Sequence, residues 1–258
     1  MVALADIPFV LPMAEWVWGE EEAQTCLSAF PLIGASCFSQ LVAKFLGIGI
    51  ILASMTNKMP IMVNMMNSQS AAGISRNSLY GEAMVYANSA FYGFLSGHPF
   101  TAYGENATLL IQNGALIILT WNFLSKTSTP VDFTEKMLVV VGFVLYIVYV
   151  LKFLAEDYWH LLMGSGWPLM LYARGSQIYE TFSVKQTGSL SIVTTTMSLV
   201  GAIIRILTTI KETGDMVVVS GYVFSGSLSF IMFAQYWMYL ENTKAMAKKA
   251  EVVKKKTE

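Results

Sequence analysis

Four places in the sequence put ionisable or amide side chains inside long apolar runs: Glu82, the pair Gln112-Asn113, Arg174 with Gln177, and Arg205. An ionised side chain at the centre of a bilayer costs about 2.5–3.5 kcal/mol on insertion scales, so such residues normally face a bundle interior or a wet cavity. A guanidinium presents a planar fork of donors suited to an anionic group such as a phosphate, which makes Arg205 the candidate anion-binding residue. Gln112, Asn113 and Gln177 could then hydrogen-bond the hydroxyls of a ligand. Glu82 and Arg205 carry opposite charges and could meet as an interior pair. The same residues also fit a structural ion pair, or an Arg205 satisfied by loop carbonyls. Glu82, Gln112, Asn113, Gln177 and Arg205 together form the candidate substrate path.

Covalent chemistry finds no comparable set. The only histidines, His98 and His160, fall in short connections with no Ser or Cys arrangement that marks a triad. Glu105, Glu156 and Asp157 are acids with nothing to fix them for acid/base work. Cys26 and Cys37 are too few for a disulfide scaffold and lie near no metal-ligand spacing, so they read as a stray pair near a membrane boundary. The expectation is a protein that is not an enzyme, with no metal and no cofactor. Lys44 reads as a side chain that snorkels to an interface.

The elements that must position these residues follow from composition. Of 258 residues, 13% are charged, against about 25% in an ordinary soluble domain. Mean hydropathy is +0.54 and net charge is −1, which excludes disorder and leaves no basic field for nucleic acid. A bilayer core of about 30 Å needs about 20 apolar residues per helix. Seven windows qualify, roughly Leu41 to Met66, Ser78 to Leu95, Ala107 to Leu124, Met137 to Leu154, Leu161 to Phe182, Leu190 to Ile210 and Val217 to Leu240. A soluble helical bundle would need polar outer faces, which Val139 to Leu151 does not offer.

Charge placement predicts the orientation. Residues 1 to 34 carry five acids and no Lys or Arg, whereas Lys58, Arg76, Lys126, Lys136, Lys185 and the lysine-rich tail fall on the other side, with only Lys152 and Lys211 against the pattern. The positive-inside rule then puts the N-terminus lumenal and the C-terminus cytosolic. The first residues lack the basic region of a cleavable signal peptide. Lys255 and Lys256 resemble the dilysine retrieval signal of endoplasmic reticulum membrane proteins, although a solvated basic tail attracted to anionic lipid fits them as well. Asn106-Ala107-Thr108 is a glycosylation sequon whose closeness to the third span should keep it unmodified.

The chain also aligns with itself at one constant offset, which pairs Lys58-Met59-Pro60-Ile61 with Arg174-Gly175-Ser176-Gln177 and Ile74-Ser75 with Leu190-Ser191. Spans one to three then match spans five to seven, and span four inverts the chain so that both halves face the same way. Pro60 ahead of Ser70-Ala71-Ala72-Gly73, and Gln177 ahead of Thr187-Gly188-Ser189, resemble the two PQ-loop motifs of seven-helix PQ-loop and SWEET-like proteins. Pro99-Phe100, Tyr103-Gly104-Glu105, Gln112, Ala202 to Ile206 and Thr208 to Asp215 narrow the resemblance to the mannose-P-dolichol utilization defect 1 protein family. The likeness runs from about Lys44 to about Trp237. Each motif keeps half of the dipeptide, with Ile61 in place of glutamine and Ser176 in place of proline.

The resemblance implies an all-α polytopic membrane protein, with seven transmembrane helices as two parallel three-helix repeats joined by an inversion helix. Its parts are an acidic lumenal segment (1–40), a first repeat (41–125), a linker with the inversion helix (126–156), a second repeat (157–240) and a basic cytosolic tail (241–258). Pro60, Gly73, Gly175, Gln177 and Gly188 are the implied motif and hinge residues, a proline inside a helix being a physical basis for a kink. The implied role is to let the endoplasmic reticulum use dolichol-phosphate-mannose and dolichol-phosphate-glucose as lumenal donors for N-glycans, GPI anchors and protein mannosylation. Transbilayer movement of the lipid-linked sugar fits, as does non-catalytic presentation of the donor to lumenal glycosyltransferases. A SWEET-like solute carrier is the third alternative. Membrane lipid is a partner in every case, nucleic acid in none, and an oligomer is compatible with each.

Overall fold

The structure is a computed structural model and describes residues 10–18, 20–28, 34–71, 74–124, 130–185 and 192–242. Gly73, Gly188, Lys255 and Lys256 lie outside the described residues. Every regular element among the described residues is helical: α1 (Val10–Trp18), α2 (Glu20–Ser28), α3 (Ala35–Met55), α4 (Met59–Ser68), α5 (Arg76–Leu95), α6 (Phe100–Leu124), α7 (Phe133–Lys152), α8 (Trp159–Gly164), α9 (Gly166–Val184), α10 (Ile192–Glu212) and α11 (Met216–Met238). Each of the seven apolar windows is occupied, the first by α3 and α4 in succession and the fifth by α9 preceded by the short α8. Among the described residues, four spans are long and apolar enough to cross a bilayer by length and composition: Ala35–Ser68, Phe100–Leu124, Phe133–Lys152 and Met216–Met238.

The helix ends differ from the hydropathy windows where polar residues sit inside helices. The third span is read from Ala107, yet α6 begins at Phe100, directly after Pro99. Proline fixes a helical φ and lacks only an N–H that the first turn leaves unbonded, so it starts a helix whatever the polarity that follows. The sequon Asn106-Ala107-Thr108 therefore lies within α6. The turn before it closes on Gly97, whose φ of +67° is left-handed, while the His98 N–H donates to the Gly93 carbonyl at 2.9 Å. Gly93 also permits α5 and α6 to meet closely, since a Cβ there would fall 2.5 Å from the Cβ of Tyr103.

Two compact units divide the chain, Met1–Leu162 with Thr208–Gly214, and Met163–Leu207 with Asp215–Glu258. In the first unit α6 is the central strut, touching α3, α4 and α5. Met62 and Met65 from α4, Leu79 and Ala83 from α5, and Leu116, Ile117 and Phe123 from α6 form its apolar core. Within α7, only 6% of the apolar stretch is buried, so this helix shows its valines and leucines outward. It is fastened to α5 at two levels, near its start and further along. Arg76 pairs with Glu135 at 2.7 Å, the Tyr80 hydroxyl donates to Glu135 at 3.0 Å, and the Tyr146 hydroxyl donates to Asn88.

Ahead of these spans, α1 and α2 form a hairpin that also meets α3. Cys26 and Cys37 form a disulfide that ties α2 to the first turn of α3. The stray pair of the sequence is thus a cross-link between residues eleven apart in sequence. Lys44 does not snorkel. Its side chain is 13% exposed, faces Glu212 at 4.0 Å and lies over the Trp16 ring at 5.5 Å.

In the second unit α9 packs on α11. Trp167 stacks on Phe224 at 5.9 Å, and Asp215 caps α11 by accepting from the Val217 N–H at 2.7 Å.

Candidate functional site

The first span is broken between Met55 and Met59, and the residues around the break show why. Pro60 sits at the start of α4, where its missing N–H and its ring prevent continuation of α3 through the turn. A break inside a span strands backbone groups that hydrocarbon cannot satisfy. Gln112, from the middle of α6, repairs it: its amide NH2 donates to the Ser54 carbonyl at 2.8 Å, and its amide oxygen accepts from the Lys58 N–H at 3.1 Å. Both ends of the Gln112 amide are thus spent on the break, where the sequence suggested a ligand hydroxyl.

The break also sets Lys58 at the head of α4, pointing into the unit. Lys58 is buried, with a side chain only 9% exposed. Its ammonium pairs with Glu82 of α5, donates to the Asn113 carbonyl oxygen at 2.9 Å and lies 5.4 Å from the centroid of the Tyr86 ring. Asn113 has no exposed surface and donates in turn to the Leu79 carbonyl at 2.7 Å. A buried ammonium is tolerable only with such partners. The Glu82 side chain, by contrast, is 39% exposed and uses only Oε2 in the pair. Its second oxygen is open to accept from a hydroxyl.

The second unit repeats this layout at the same constant offset. Lys58 corresponds to Arg174 and Asn113 to Ser229, and Arg174 donates to the Ser229 hydroxyl and to the Ser225 carbonyl at 3.2 Å. Gln69, which ends α4 with φ of +50°, corresponds to Lys185, which ends α9 with φ of +55°. These are the two non-glycine residues with positive φ among the described residues. The offset therefore relates a cation on one helix and its polar receiver on another in both halves of the chain.

The sequence-predicted residues separate into three groups. Glu82, Gln112 and Asn113 come together, around Lys58. Arg205 is buried in α10 at 5% exposure, and the charge that Glu82 meets is Lys58. Gln177 is exposed and makes no side-chain hydrogen bond with a described residue. Gly175 lies inside an unbroken α9, next to Ser176, which keeps the N–H that a proline would remove. Lys58 is the residue that sequence reasoning missed. Charge counting assigns it to a connection, but the Pro60 break turns it inward. The signal was available in the offset that aligns it with Arg174, already seen to lie within a span.

Comparison with known proteins agrees at the level of fold. No protein family model matches the sequence. A solved structure of a eukaryotic SWEET transporter is similar with a TM-score of 0.63, across 81% of this chain and all of that one, at 12% identity. The helices and their apolar spans define a helical, polytopic membrane protein whose fold is similar to that of the SWEET transporter. At this identity the likeness speaks for fold alone.

Proposed function

We propose that the protein is a multi-pass endoplasmic reticulum membrane protein required for use of dolichol-phosphate-mannose and dolichol-phosphate-glucose in the lumen, and that it moves these lipid-linked sugars across the bilayer without covalent chemistry. The observation that carries the reading is the matched pair of interior clusters, Lys58–Asn113 with Glu82 and Arg174–Ser229, one in each repeat. Repeat-built transporters bind substrate at polar sites near the bilayer midplane, in segments whose backbone is interrupted. The open oxygen of Glu82 suits a sugar hydroxyl. The substrate class comes from the resemblance of Tyr103-Gly104-Glu105, Gln112 and the Arg205 to Asp215 segment to the mannose-P-dolichol utilization defect 1 protein family.

The Cys26–Cys37 disulfide supports a lumenal N-terminal segment, because disulfides persist in oxidising compartments and are rare in the cytosol. A tag ahead of Met1 should be protease-protected in intact microsomes, and a tag after Glu258 accessible. The reverse pattern overturns the orientation.

Transport is tested with purified protein in liposomes and a short-chain dolichyl-phosphate-mannose analogue. The expected outcome is accelerated transbilayer movement. Binding of the analogue without acceleration favours presentation to glycosyltransferases, and movement of free sugar alone favours a solute carrier.

A further inference from the structure

A groove of about 500 Å3 lies between α9 and α11, wholly within the second unit. Its walls are apolar and aromatic, with Ile178, Tyr179 and Phe182 on α9 and Phe230 and Ile231 on α11. Two polar features bear on this groove, one flanking it in sequence and one in its wall.

The first is Arg174, next in sequence to the groove residue Gly175. Its bonds to Ser225 and Ser229 use one terminal nitrogen, Nη1. Among the described residues it forms no ion pair, whereas Lys58 at the corresponding place is neutralised by Glu82. A guanidinium in a span thus keeps its charge and most of its donor fork uncommitted.

The second is Gln235, which lines the same groove and is 7% exposed. Its amide NH2 donates to the Ile178 carbonyl at 2.9 Å, which fixes the other end, Oε1, as an acceptor. That oxygen is buried and has no hydrogen-bond partner, and it is the one such side-chain atom among the described residues. A buried acceptor without a donor is costly, and hydrocarbon offers none. Ile178 lies four residues beyond Arg174, and Gln235 six beyond Ser229, so the two features are separated by about 6–9 Å along the helices at about 1.5 Å per residue. That is the separation between a phosphate and the far hydroxyls of a hexose esterified to it.

We propose that the α9–α11 groove binds a phosphorylated sugar headgroup, with the phosphate on Arg174 and a sugar hydroxyl donating to Gln235 Oε1. The aromatic rings of Tyr179, Phe182 and Phe230 give the sugar ring apolar faces to lie against. The proposal rests on the functional reading above for the sugar, but its test reads binding and not transport.

Full-length protein in phosphatidylcholine nanodiscs is titrated with three radiolabelled probes: a short-chain prenyl-phosphate-mannose, the same prenyl mannoside without phosphate, and the prenyl phosphate without sugar. Arg174→Gln should weaken both phosphate probes by about tenfold or more, the scale of a lost charge-assisted bond, and leave the mannoside unchanged. Gln235→Leu should weaken the mannosyl phosphate by about threefold to tenfold and leave the prenyl phosphate unchanged. Wild-type affinity in either variant overturns the assignment. Ser229→Ala, which keeps the charge but frees the guanidinium, provides a milder variant expected to lose about threefold on the phosphate probes. An unchanged value there sinks the proposal if Arg174→Gln fails to accumulate.

Competitors identify the source of the phosphate. Equal competition by mannose 1-phosphate marks a soluble sugar phosphate, weak competition marks a lipid-linked one, and equal competition by phosphatidylglycerol overturns the sugar assignment. Arg174-dependent binding without transport would remove the transport reading and leave the groove. Transport with normal binding in Arg174→Gln would remove the groove alone.

Discussion

The two compact units place a cation at positions related by one sequence offset and treat it differently. In the first, Lys58 sits at a helix break, has Glu82 for a counter-charge and shares Asn113 as a receiver. In the second, Arg174 sits mid-helix, donates to Ser229 and Ser225, and the residue matching Glu82 by offset is Ser198. Gln112 tells the same story. Its counterpart is Leu228, because α9 runs unbroken through Ser176 and leaves no stranded backbone groups for an amide to serve. The two units share the position of the cation and differ in its charge balance and in the helix break beside it. One half resembles a neutralised latch, the other a cation awaiting an anion.

The largest effect should come from breaking the neutralised half. Lys58→Met leaves Glu82 without a counter-charge and Asn113 without its donor, and removing one partner of a buried pair costs about 3–5 kcal/mol. The exposure of Glu82 lowers the expectation to about 2–3 kcal/mol. It reads as a marked fall in the thermal midpoint of the detergent-solubilised protein, and an unchanged midpoint would mean that the pair is not structural. Next, Gln112→Leu should cost about 2 kcal/mol, since it orphans the Ser54 carbonyl and the Lys58 N–H. The mirror change, Leu228→Gln, restores nothing and should also destabilise. Opening the disulfide with Cys37→Ser should cost somewhat under about 3 kcal/mol, as expected for a short closed loop. Lysis with a thiol-alkylating probe checks it by a mobility shift in the wild type only after reduction. The smallest effect on stability belongs to Arg174→Gln, within about 1 kcal/mol, because the residue lacks a counter-ion to strand. Ser198→Glu should instead block the phosphate probes by supplying an acid at the offset match of Glu82, which Arg174 lacks among the described residues. Unimpaired binding in that variant would break the correspondence between the repeats.

Much of this architecture is legible in the sequence. Apolar length alone finds the helices in all seven windows, four of them in spans long and apolar enough to cross a bilayer, because hydrocarbon demands about 20 consecutive apolar residues whatever the tertiary packing. Helix starts are less legible: α6 gains two turns over its window since Pro99, and not hydropathy, begins it. Glu82, Gln112 and Asn113 are visible as polar residues in apolar runs, but their partner is not. Counting lysines by loop treats Lys58 as a surface charge, and only the geometry of the Pro60 break turns it inward. Gln235 gives no signal that separates it from any amide in a span, because its unpaired oxygen is a property of packing. Likewise two cysteines eleven residues apart do not announce a bond until tertiary structure brings α2 and the first turn of α3 together.

If the first segment is lumenal, as proposed, that bond gives the protein a memory of its own insertion. A thiol pair kept on the reducing side of a membrane stays open, so Cys26 and Cys37 can close only in chains whose first segment has crossed to an oxidising compartment. The oxidised fraction in a cell is then a running count of correctly threaded molecules, taken before any assay of what they carry.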